Sequence, residues 1–122
     1  HVEDHCAGID VVLREGTPGE VYNIGGDQER TNVELARRTL ALTGKGEELI
    51  QYVKDRLGHD RRYSVDSTKI KALGWSAEVG FEDGLARTVK WYRQNEGWWR
   101  KIKDGSYREY YRRMYENRRV EE

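Results

Sequence analysis

The sequence is short of most residues that fix a fold covalently or rigidly: it has one cysteine, one proline, one phenylalanine and one methionine in 122 residues. The lone Cys6 excludes an internal disulfide and suits a reducing compartment, here expected to be the cytoplasm. Charge of one sign is lacking too. Lys plus Arg and Asp plus Glu both number 22, so no general pull toward nucleic acid or an anionic membrane follows. No apolar run approaches the length of a transmembrane helix, and no signal peptide opens the chain. Aliphatic residues are sparse: Ile, Leu, Val and Phe make up about a fifth, near the lower edge for a self-sufficient core. Four Trp and eight Tyr partly offset that, because each buries a large area. The expectation is one domain, residues 1–122, with a thin core. The apolar pattern starts almost at once after His1-Val2-Glu3-Asp4-His5, the look of a chain cut from something larger.

Catalytic signatures are also absent. There is no Gly-x-Gly-x-x-Gly after a strand, and Gly44-Lys45-Gly46 ends a helical stretch instead of opening one. No Gly-x-Ser-x-Gly elbow exists. Cys6 lies in an apolar helical stretch, which favours an inert buried thiol over a nucleophile. His1 and His5 have i, i+4 spacing, but Val2 stands where a metalloprotease helix needs Glu, so capping and packing by Glu3-Asp4-His5 is the better reading. No catalytic and no metal residue is assigned.

Periodicity then supplies the elements. Cys6, Ala7, Ile9, Val11, Val12 and Leu13 are apolar nearly all round, which predicts a buried helix over residues 4–14. Residues 21–24 and 50–53 read as short strands. The first ends at Gly25-Gly26, where backbone either turns or approaches a ligand. Thr31-x-x-Glu34 has capping-box spacing and predicts a helix as far as Gly44. Asp66 or Ser67 is placed to cap a short helix ending at Leu73-Gly74, with Trp75 locking the turn. Phe81, Leu85, Val89 and Tyr92 mark an amphipathic helix that stops near Asn95-Glu96-Gly97. Trp98, Trp99 and Ile102 form a packed element ended by Gly105. In the tail, Tyr107, Tyr110, Tyr111, Met114 and Tyr115 share one helical face, with Glu116 among the charged residues on the other. Basic residues interleaved with tyrosines raise nucleic-acid binding, but a single stripe points the rings at a core. The fold class expected is α/β, an α+β-like fragment of mainly helices with a few short strands.

One segment has no period that would bury a face. Tyr52-Val-Lys-Asp-Arg-Leu-Gly-His-Asp-Arg-Arg-Tyr63 carries seven chargeable residues around Gly58. Two readings stand side by side: a solvated surface loop, or a diphosphate clamp in which Arg56 grips two oxygens and a nearby His and Asp complete the hydrogen bonds. Asn32 is the other polar candidate, in the first turn of a helix where free backbone N–H groups favour an anion; local capping is its plainer role.

Taken together, Tyr22-Asn23-Ile24-Gly25-Gly26, Thr31-Asn32, Asp55-Arg56-Leu57-Gly58-His59-Asp60-Arg61-Arg62-Tyr63 with Asp66, Leu73-Gly74-Trp75 and the opening Val2-Glu3-Asp4-His5 resemble the C-terminal part of the dTDP-glucose 4,6-dehydratases, extended short-chain dehydrogenase/reductases. Trp98-Trp99 and Gly105-x-Tyr107 fit as well, so the likeness covers essentially the whole chain. It implies a two-domain protein: a Rossmann domain holding NAD, lying upstream, and a smaller domain closing over dTDP-glucose. It further implies oxidation at C4 of the sugar, loss of water across C5–C6 and return of hydride to C6. Asn32, Asp55, Arg56, Gly58 and His59 would contact the dTDP portion, Arg56 the diphosphate. The family's Tyr-x-x-x-Lys pair and glycine-rich loop have no counterpart here. A homodimer without nucleic-acid or membrane partners is implied for the full-length enzyme. The family usually has proline where Leu57 stands, which makes the empty loop more mobile here. A non-catalytic nucleotide-sugar module, or an epimerase or dehydratase acting on another nucleotide sugar, are the competing readings.

Overall fold

A computed structural model describes residues 1–103 and 106–115, the side chains of Ser106 and Tyr115 excepted. Gly105 as a stop signal and the outward-facing Glu116 therefore lie outside the described residues. The helices are α1 (Val2–Glu15), α2 (Asn32–Thr43), α3 (Thr68–Lys71), α4 (Phe81–Gln94), α5 (Glu96–Lys103) and α6 (Ser106–Tyr115), with a 3₁₀ turn at Glu47–Leu49. The chain divides into two compact units, His1–Thr31 with Arg62–Ala86, and residues 32–61 with the described residues from Arg87 onward.

The first unit is organised around Ile70 (0% exposed), Trp75 (5%) and the buried Ser67 and Asp4. Its packing depends on a glycine in α1. A Cβ on Gly8 would stand 3.0 Å from Ile24 and 3.2 Å from the Trp75 indole nitrogen, so any larger residue would make both side chains give by a few tenths of an ångström. Trp75 Nε1 donates to the Asp4 carbonyl at 3.0 Å, and the Asp4 carboxylate accepts from the N–H groups of Glu78 and Val79, both at 3.1 Å. The packing role expected of Asp4 and the locking role of Trp75 are both seen. Asp66 Oδ1 caps α3, accepting from Thr68 N–H (2.8 Å) and Thr68 Oγ1–H (2.5 Å). Ser67 is thereby released to bond elsewhere: its Oγ accepts from Gly25 N–H (2.8 Å) and donates to Gly25 C=O (3.3 Å).

Two expectations need correction. The helix over residues 4–14 exists, but it is not buried all round: Cys6 is exposed, as are Ile9 (52%) and Leu13 (82%), because only the Asp4–Gly8 side meets other residues of this unit. Cys6 is accordingly not a buried thiol. The strands at residues 21–24 and 50–53 do not form; a single isolated bridge position at Val53 is all the strand character among the described residues. A strand requires a partner for its ladder, and in residues 21–25 the one cross-link of that kind is the Ser67–Gly25 pair. The described residues are mostly helical.

In the second unit α2 opens directly after Thr31 and closes on Gly44 (φ 68°). Lys45 N–H reaches Leu40 C=O (3.0 Å) and Gly44 N–H reaches Ala41 C=O (3.2 Å), the paired bonds of a Schellman cap. Arg37 ties the 3₁₀ turn back to α2 through Glu47 at 3.1 Å. Farther along, Trp91 meets Tyr92 and Trp98 edge-on (centroids 5.2 and 5.3 Å), and Trp99 Nε1 donates to Tyr92 C=O at 2.8 Å. These contacts link the start of α5 to the end of α4 across Asn95, which separates the two helices. α6 carries the tyrosines on one side as expected, but Tyr107, Tyr110 and Tyr111 are about half exposed and do not point into a core. Tyr107 and Tyr111 meet each other there, their ring centroids 6.2 Å apart.

Candidate functional site

All five residues singled out as ligands, Asn32, Asp55, Arg56, Gly58 and His59, fall in the second unit. Asn32 is exposed and is the first residue of α2. The other four form a loop that leaves the 3₁₀ turn through half-buried Ile50, whose N–H donates to Glu47 C=O at 2.8 Å. The loop is shaped from within. His59 N–H donates to Arg56 C=O at 3.3 Å, closing a turn over residues 56–59, and Gly58 at its third position has φ 69°. A positive φ there with a negative one at Leu57 defines a type II turn, which requires glycine at that third position. Its second position, occupied by Leu57, is where proline fits best.

Side chains complete the bracing. Asp55 Oδ1 accepts from Arg56 N–H at 2.9 Å. His59 Nδ1 lies 2.7 Å from the Asp60 carbonyl oxygen, which only accepts, so Nδ1 carries a proton and donates there. Leu57 is fully exposed and His59 half-buried. Among the described residues neither Arg56 nor Arg61 has a carboxylate partner, whereas Arg62 pairs with Glu29 at 3.6 Å, and Glu29 also accepts from Ser64 Oγ at 2.6 Å. The arginine-rich run thus separates into two exposed cations and one used locally. Arg61 was not singled out from the sequence; only the charge run itself signalled it.

Other predicted features resolve as structure. Gly25 spends its N–H on Ser67, and a Cβ there would come within 2.7 Å of Val65, so close packing and not ligand approach explains that glycine. The perturbed acids fall in the first unit. Glu20 is held below the ordinary carboxylate range by a hydrogen bond from Lys69 and its charge, Asp66 by the two Thr68 hydrogen bonds, and Tyr22 is lowered by the Thr17 N–H donated to its oxygen. No group of three or more metal-ligating side chains converges among the described residues.

Comparison with known proteins gives this loop a context. The sequence model of a family described as GDP-mannose 4,6 dehydratase matches residues 1–88. The chain belongs to that family. Within it, the similarity is high to the dTDP-glucose 4,6-dehydratase of Streptomyces niveus (53% identity over 84% of this chain and 31% of that protein). It is as high to the low-salt glycan biosynthesis protein Agl12 of Haloferax volcanii (54% over 75% of this chain, 30% of that protein). Among solved structures, dTDP-glucose 4,6-dehydratase from Bacillus anthracis in complex with NAD superposes with TM-score 0.77 at 50% identity, covering 84% of this chain and 32% of that one. The resemblance to dTDP-glucose 4,6-dehydratases read from the sequence is thereby borne out. The chain spans about a third of the length of the relatives it matches.

Proposed function

We propose that this chain, residues 1–122, is the nucleotide-sugar-binding domain of a dTDP-glucose 4,6-dehydratase, an α/β enzyme that converts dTDP-glucose to dTDP-4-keto-6-deoxyglucose with loss of water. The observation that carries the proposal is Arg56, a guanidinium without a carboxylate partner among the described residues, presented by a self-braced turn in a chain about half identical to such enzymes. Arg56 binds the diphosphate bidentately, with Arg61 adding positive potential. Asn32, Asp55, Gly58 and His59 complete the site. Glycine at position 58 keeps the turn free of a side chain where the nucleotide approaches.

NAD supplies the hydride chemistry in the dehydratases as we read this protein, but the described residues do not fit it. Gly44-Lys45-Gly46 is a helix stop, and no Tyr-x-x-x-Lys pair is present. No step through NAD is assigned to this chain, which binds and orients the sugar nucleotide. Solved dehydratases from Streptomyces venezuelae hold NAD and dTDP-type ligands together, which supports a nucleotide-sugar partner. The full-length enzyme is proposed to work in the cytoplasm as a homodimer. No helix among the described residues is long and apolar enough to cross a membrane.

The decisive experiment mixes NAD and dTDP-glucose with the full-length protein and with residues 1–122 alone, and follows loss of water by mass spectrometry. Turnover by the full-length protein only is expected; turnover by the short chain refutes the proposal. The family description names a GDP sugar, which favours a second reading, a dehydratase for another nucleotide sugar. Titration of dTDP, UDP and GDP separates the two, and preference for GDP would select the second. Arg56→Ala should weaken dTDP-glucose binding by about 2–3 kcal/mol, the range for a hydrogen-bonded charge pair.

A further inference from the structure

Asp55 and Arg56 stand side by side in the proposed substrate loop, yet their chemistry toward a diphosphate is opposite. A carboxylate next to a pyrophosphate is repelled by it, and here one oxygen of Asp55 is already engaged by Arg56 N–H at 2.9 Å. The Arg56 carbonyl is engaged as well, by His59 N–H at 3.3 Å. Both backbone polar groups of Arg56 are therefore held by neighbours in the loop itself. The segment has little else to hold it, since Asp55, Arg56 and Gly58 are exposed and Leu57 fully so. We infer that Asp55 is a positioning residue: it fixes the backbone of Arg56 so that the guanidinium is presented to the substrate, and makes no contact with the substrate itself. This rests on the proposed function, and narrows it by removing one acid from the set of direct ligands.

The physical requirement is an oxygen acceptor at that point, not a negative charge. Asparagine carries the same carbonyl oxygen on the same short side chain, so it can accept the Arg56 N–H; alanine cannot. The test uses the full-length protein with NAD and dTDP-glucose, comparing Asp55→Asn, Asp55→Ala, Arg56→Ala and the Asp55→Ala/Arg56→Ala double variant. Asp55→Ala is expected to raise KM about 10-fold with kcat little changed, and Asp55→Asn to stay within about 3-fold of the parent. Arg56→Ala is expected to raise KM more than about 30-fold, and the double variant to be no worse than Arg56→Ala alone, the non-additivity of two residues acting as one. A KM for Asp55→Asn as high as for Asp55→Ala overturns the inference, because charge is then what acts. Additive effects overturn it too, as does an Asp55→Ala variant that behaves like the parent.

The Arg56 amide resonance in the ligand-free protein gives a readout independent of substrate. It should show a hydrogen-bonded shift in the parent and Asp55→Asn, and lose it in Asp55→Ala. If the parent protein ignores dTDP-glucose but the amide follows this pattern, the functional proposal fails while the bracing of Arg56 stands. If dTDP-glucose binds and the amide does not respond, the positioning role fails alone.

Discussion

Single residues in this chain act mostly through backbone groups. Asp4 is the clearest case, a buried carboxylate that satisfies the N–H groups of Glu78 and Val79 ahead of α4. Asp4→Ala leaves both donors without that acceptor, and the full-length protein is expected to lose about 2–4 kcal/mol in urea unfolding, the cost of orphaning buried donors. Asp4→Asn, which keeps one acceptor oxygen, should lose less. Leu57 works in the opposite sense. It occupies the second position of a type II turn, where proline's fixed φ is already correct, and no hydrogen bond uses its N–H among the described residues. Leu57→Pro should stiffen the empty loop by about 0.4–1 kcal/mol and lower KM for dTDP-glucose roughly 2- to 5-fold. An unchanged or higher KM would show that the bound loop abandons this turn.

Elements were legible wherever the signal was local. The Thr31-x-x-Glu34 spacing and Gly44 bound α2 to within a residue, and the Phe81–Leu85–Val89–Tyr92 period located α4. Trp75 after Leu73-Gly74 was legible because a large aromatic beside a helix-ending glycine (φ 89°) is a natural anchor, here against Asp4 and Gly8 of α1. What failed was non-local. Residues 21–24 have strand composition, but whether a ladder forms depends on a partner that local composition does not name. The apolar run of α1 reads as buried, but periodicity cannot say what covers Ile9 and Leu13. For the site, the Asp55–His59 string pointed to the loop, while the separate fates of Arg56 and Arg62 depend on Glu29, distant in sequence. α3, four residues long, depends on its cap. Hydrogen bonds from Thr68 hold Asp66 ionised below the usual carboxylate range. A depressed folded value means the stabilisation is complete above the unfolded Asp pKa near 4 and is lost as pH falls through the lower folded value. The stability difference between the parent and Asp66→Ala, followed by circular dichroism, should therefore be constant from pH 7 to 5 and shrink in stronger acid. A difference that grows on acidification would contradict the capping role.

At the scale of the whole molecule, the sparse aliphatic content shows as a sparse interior. Ile70 and Trp75 are the buried hydrophobic residues among those described, and the rest of the apolar packing is half-buried, as at Val33, Leu40, Leu85 and Val89. α1 shows the same economy from outside: Val2, Cys6, Ile9 and Leu13 recur at i, i+4, i+7 and i+11, and all four are exposed. This chain's one sulfhydryl thus sits in the middle of an apolar stripe. It is a reporter already installed. Alkylation of Cys6 by a maleimide, timed by mass spectrometry on residues 1–122, should run at the rate of an unhindered thiol. Any slowing of the same modification in the full-length enzyme would then measure how completely another surface shields that stripe, with no label engineered and no residue changed.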